Sequence, residues 1–65
     1  MKTDKKKIIL AMARACMNTA DLTAKVAISR PTVNKVIAGK EVRPRTIGRI
    51  AAALEVDVTE ILIDE

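Results

Sequence analysis

The sequence contains no phenylalanine, tyrosine, tryptophan or histidine, only one cysteine, and only two glycines and two prolines. Each shortage excludes something. Without His, and with Cys16 alone, there are too few ligands for a structural zinc site. Neither a Ser-His-Asp nor a Cys-His nucleophilic site can be assembled within the chain. Without aromatic rings there is no platform for stacking single-stranded bases, which argues against the common single-strand readers. One cysteine makes no intrachain disulfide, which fits a reducing, cytoplasmic setting. Cys16 has no activating neighbour in sequence and reads as a small structural residue. No apolar run approaches the roughly 18 residues of a membrane span. The basic start up to Lys7, followed by Ile8–Ala13, superficially resembles a secretory signal. Arg14 interrupts that apolar stretch too early, so the segment is expected to belong to the fold.

What is present is apolar and helix-forming. The chain has 65 residues, of which 49% are apolar, and a net charge of +4. That length suits one small domain over residues 1–65, burying about 60% of its unfolded surface. Its core must come from Ile, Val, Leu, Met and Ala. The charge is uneven: residues 1–50 sum to +9 and residues 51–65, which hold no basic group, sum to −5. A basic body with an acidic C-terminal end implies a polyanion on one side and a different environment on the other.

Helical spacing dominates. A first helix is expected over about Lys5 to Cys16, burying Ile8, Met12 and Ala15 or Cys16. Asn18 reads as the N-cap of a second, short helix, with Asp21 at its third position favouring the helix dipole and Leu22 and Val26 buried. That helix stops near Ala27. Ser29 is the next candidate cap, followed by Pro31 in the first turn, where the missing N–H costs nothing. Val33, Val36 and Ile37 face inward, and Gly39 closes this third helix, Arg30–Ala38. After the charged connector 40–44, a fourth helix spans Arg45–Leu54 with Ile47, Ile50, Ala51 and Leu54 inward. Asp57-Val58-Thr59-Glu60 has the form of a capping box with Asp in place of Ser or Thr, starting a short fifth helix through Leu62. The expected fold is all-α: a compact bundle of five short helices.

Two short helices joined by Ala27-Ile28-Ser29, the second beginning with polar and basic residues, form a helix-turn-helix pattern. In that arrangement the second helix lies in the major groove. Over residues 8–62 the sequence resembles the phage repressor and Cro-type helix-turn-helix DNA-binding family, the lambdoid repressor-like proteins. The resemblance rests on Leu22-Thr23-Ala24-Lys25-Val26, Ile28-Ser29-Arg30-Pro31-Thr32-Val33, Gly39-Lys40, Arg43-Pro44-Arg45 and the run Ile50 to Val58, taken in order and spacing.

The resemblance implies that Arg30, Pro31, Asn34 and Lys35 occupy base-reading positions. Arg30 has the two parallel donors that suit guanine O6 and N7, Lys35 does the same with less geometric control, and Asn34 suits adenine. Pro31 offers only apolar contact with a thymine methyl, or sets the helix start. Thr19 matches a position where the family usually carries Gln, and its hydroxyl suits a phosphate. Ser29 and Thr32 are further phosphate partners. Lys40, Arg43 and Arg45 match positions used on the backbone and in the minor groove, where a narrow A·T-rich segment attracts Arg. Lys5, Lys6 and Lys7 read as a solvated run adding salt-dependent attraction. Lys25 and Arg49 read as surface charges.

The sequence also departs from the family pattern. Many members pair a buried Arg on the first helix with a buried Glu on the third. Met12 and Ile37 stand there, and replacing both charges together is energetically coherent. The two are expected to meet in the core. Glycine is common in the family at the positions of Cys16, Ala27 and Glu55, so these turns either relax or store strain.

Such proteins usually bind twofold sites as dimers. The resemblance places the homodimer contact at Thr46, Val58, Ile61 and their neighbours, with Ile63 joining. Val58, Ile61 and Leu62 have a second reading, as caps on the core. Glu60, Asp64 and Glu65 should face away from phosphates. The expected function is that of a sequence-specific regulator of transcription that binds double-stranded DNA, without cofactor, metal or catalysis. It would repress from an inverted-repeat operator, or activate by touching RNA polymerase through the acidic surface. A rival from another class is a protein-interaction module, such as an antitoxin or adaptor that reuses the fold.

Overall fold

The computed structural model describes residues 1–63. It forms four α-helices, α1 (Lys5–Arg14), α2 (Thr19–Val26), α3 (Arg30–Ile37) and α4 (Pro44–Ala53), and one 3₁₀ turn (Val58–Glu60). The all-helical expectation holds, but the fifth helix shrinks to that single turn. After Glu60 the chain turns inward to bury Ile61, and Leu62 then pairs in extended form with Thr3. An extended residue cannot continue a helix. Asp64 and Glu65, expected on the acidic face, lie outside the described residues. Among the described residues, no helix is long and apolar enough to cross a membrane.

The helix starts follow side-chain chemistry. Asp4 caps α1, accepting from the N–H groups of Lys6 (2.9 Å) and Lys7 (3.1 Å). In α2 the Asp21 N–H donates to Asn18 Oδ1 (2.8 Å) and the Asn18 N–H donates to Asp21 Oδ2 (3.0 Å), a reciprocal box. Asp57 and Glu60 close the 3₁₀ turn the same way.

The helix ends carry a consistent strain. Cys16, Ala27 and Glu55 have φ of 57°, 56° and 58°. Each follows the last turn of α1, α2 or α4, where a left-handed residue lets backbone N–H groups reach the final carbonyls. For a non-glycine residue this conformation costs about 1–2 kcal/mol. The structure therefore keeps the turns that glycine usually makes and stores the strain. Only α3 ends on glycine. Gly39, at φ 77°, needs its freedom twice, because a Cβ there would also lie 3.2 Å from the Thr3 carbonyl oxygen.

The core is aliphatic. Ile8, Leu22, Val33, Val36, Ile47, Ile50 and Ile61 have no exposed surface. Each large side chain so buried contributes about 1.5–3 kcal/mol relative to exposure. Ala11, Met12, Ala51 and Leu54 complete the interior, and Ile37 packs half-buried against it. Met12 and Ile37 thus join one apolar core where the family's ion pair would stand.

The four residues before α1 belong to the fold. The Asp4 N–H donates to the Ile61 carbonyl (2.8 Å) and the Ile63 N–H to the Lys2 carbonyl (3.2 Å). On the other side, the Val42 N–H donates to the Met1 carbonyl (2.9 Å). Between them Thr3 is buried, and its hydroxyl donates to the Val36 carbonyl in the last turn of α3. Residues 1–4 therefore tie the end of α3 to residues 61–63.

Candidate nucleic-acid interface

Helices α2 and α3 are separated by Ala27, Ile28 and Ser29. The left-handed Ala27 turns the chain sharply, and Ile28, half-buried, packs against the core. Val33 and Val36 anchor α3 from below. With that side fixed, Arg30, Pro31, Asn34 and Lys35 are all exposed. Spacing of three and four residues places Pro31, Asn34, Lys35 and Ala38 along one helix face. These four and Lys40 line a shallow groove of about 300 Å³. Arg30, in the first turn, is exposed but lies outside that lining.

The other flank of α3 is cationic. Thr32, Arg43, Arg45, Thr46 and Arg49 line an open groove of about 500 Å³, floored by Ala27 and Ile28. Arg43 and Arg45 are thus brought together as the sequence suggested. Arg49, read from sequence as an ordinary surface charge, joins them. The signal was there: Arg45 and Arg49 are four residues apart in α4 and share its outer face.

Helices α3 and α4 begin without a side-chain cap. Ser29 makes no cap bond; its hydroxyl lies 2.9 Å from that of Thr32. Two hydroxyls sharing one hydrogen bond retain one O–H donor, available to a phosphate oxygen. Arg43, the residue before α4, caps nothing either. Thr19, half-buried, opens α2, and its carbonyl accepts from the Thr23 hydroxyl (2.7 Å). It lines neither groove and sits two residues from the capping carboxylate of Asp21, so it is the most isolated of the expected phosphate partners.

Among the described residues, no carboxylate lines either groove. Glu41, the one acid between residues 28 and 49, pairs with the Met1 amino group at 3.0 Å. Glu60 lies 3.7 Å from Arg14. Asp57 is held below its ordinary pKa of 3.8, first by a hydrogen bond from the Thr59 hydroxyl and then by the Thr59 N–H.

The residues expected at a dimer contact are not gathered on one surface. Thr46 lines the arginine groove, whereas Ile63 is exposed beside Met1, Lys2, Glu41 and Leu62. Val58 is half-buried against the core. Ile61 has no exposed surface and cannot present its side chain to a partner. Its side chain is part of the buried core, so the core-cap reading applies to it.

No curated protein matches the chain. The family model of the Cro/C1-type helix-turn-helix DNA-binding domain matches residues 7–65, nearly the whole sequence. That match, together with a buried-backed α3 beside a cationic groove, shows that the chain belongs to the Cro/C1-type helix-turn-helix DNA-binding family.

Proposed function

We propose that the protein is a transcriptional repressor that occupies an inverted-repeat operator as a homodimer. The observation that carries this reading is the exposed face of α3, held upright by buried Val33 and Val36 and flanked by cations on both sides. In this reading α3 enters the major groove. Arg30, Asn34 and Lys35 address base edges, and Pro31 makes apolar contact. Ser29, Thr32, Lys40, Arg43 and Arg45 hold the backbone and the adjacent minor groove, with Thr19 contributing least. Two protomers meet through the surface around the exposed Ile63, whereas Thr46 belongs to the arginine groove. It acts in the cytoplasm, where the DNA is, and no cofactor is needed, because binding to the operator excludes the transcription machinery.

Selection from random duplex pools tests it. An inverted repeat with half-sites about one helical turn apart is the expected product. Equal, weak binding to every sequence would overturn specific repression. Within the site, Arg30→Ala should relax base preference by about 1–3 kcal/mol, whereas Arg43→Ala should mainly lower the salt dependence. The reverse pattern would exchange the roles assigned to α3 and to the connector.

A further inference from the structure

We infer that Arg49, together with Lys25, forms a second backbone-binding track that extends the DNA footprint beyond the recognition helix and the Arg43–Arg45 pair. This rests on the duplex-binding reading above. Arg49 lines the groove holding Arg43 and Arg45, and also the neighbouring depression formed by Lys25, Val26, Ala52 and Ala53. It therefore joins the two, and the cations run continuously from Arg43 through Arg45 and Arg49 to Lys25. All four are exposed. Among the described residues, none of the four is ion-paired with a carboxylate.

Such an arrangement works against the isolated protein. Arg45 and Arg49 are like charges four residues apart on one helix face, which is mildly destabilising. Three guanidinium groups around one groove, with no acid among the lining residues, make a surface that attracts an external anion. The groove also offers the Thr32 and Thr46 hydroxyls as neutral donors. Guanidinium and hydroxyl donors along an open surface match a phosphodiester chain, whose charges repeat along the strand. The groove borders α3 through Thr32, so the strand it holds is the backbone beside the bases that α3 reads. Contacts of this kind add affinity and salt dependence without sequence preference.

The test measures duplex affinity of the full chain across a salt series, on the selected operator and on a scrambled duplex. Each lost phosphate contact lowers the slope of log affinity against log salt by about 0.9. Arg49→Ala should therefore be shallower by about one contact on both duplexes, and Lys25→Ala likewise. Arg49→Lys should restore the slope, because it keeps the charge. Arg14→Gln, altering the separate depression with Glu60, is the control and should leave the slope unchanged. A thermal melt of each variant confirms folding. An unchanged slope in Arg49→Ala, or an equal change in Arg14→Gln, would overturn the track. If the unmodified protein binds no duplex at all, the failure lies with the proposed function itself.

Discussion

Two regions of the molecule treat helix N-termini and charge in opposite ways. Around the 3₁₀ turn and the start of α1, the backbone N–H groups are satisfied by Asp4, Asp57 and Glu60. Around α3 and α4, Ser29 and Arg43 leave them uncapped, and the surrounding side chains are Arg and Lys. The first region closes its electrostatics internally; the second leaves positive charge and free donors facing solvent. Helix N-termini attract anions, and a carboxylate cap would repel a phosphate from the same place. The difference thus separates the part of the chain that supports the fold from the part suited to a polyanion. Helix α2 lies between the two: it is fully capped by Asn18 and Asp21, although Thr19 stands at its start.

The comparison can be broken at several points. The largest effect belongs to the internally closed region. Ile61→Ala, which empties a fully buried site, should cost about 2–5 kcal/mol in denaturant unfolding. An Ile61 that served a dimer contact would instead weaken association and leave protomer stability near normal. Thr3→Val keeps the shape and removes the buried hydroxyl that donates to Val36. It should cost about 1–3 kcal/mol and lower duplex affinity, because the end of α3 loses its tie. No change in unfolding midpoint would show that the segment before α1 contributes nothing to α3.

The next substitution moves one region's chemistry into the other. Ser29→Asp supplies the missing cap and should stabilise the fold by about 0.5–1 kcal/mol. It should also weaken duplex binding by about tenfold, through a carboxylate placed against phosphates. If stability and binding both improved, the start of α3 would not face the backbone. The smallest effect concerns Asp57. Its folded pKa is depressed, so its contribution is present above the ordinary 3.8 and disappears as the pH falls through the lower folded value. Asp57→Asn should flatten this acid arm of the stability curve and leave neutral behaviour nearly intact. An unchanged acid arm would show that Thr59 does not hold the carboxylate in solution.

Much of this organisation is legible in the residues alone, for reasons that differ by element. The Asn18–Asp21 box, Pro31 in the first turn of α3 and the inward residues of α4 depend on neighbours a few positions apart, and local spacing captures them. The exposed face of α3 was legible because Val33 and Val36 fix its inner side. The fifth helix is shorter than its spacing suggests: its capping box is real, but the fate of the next residues depends on Thr3 at the far end of the chain. Asp4 is hard to recognise as a cap in sequence because the lysines after it have the look of a solvated run.

By itself, the sequence determined the helices, their inward faces, the α2–turn–α3 unit and the split between a basic body and an acidic end. These follow from periodicity, capping and charge order, all short-range properties. Only the tertiary structure decided that residues 1–4 thread between Val42 and Ile61–Ile63, that Ile61 is interior, and that Arg49 stands with Arg43 and Arg45. Each depends on groups brought together by burial of one shared core. It also decided how the three turns without glycine are made. Cys16, Ala27 and Glu55 take the left-handed conformation that their side chains disfavour.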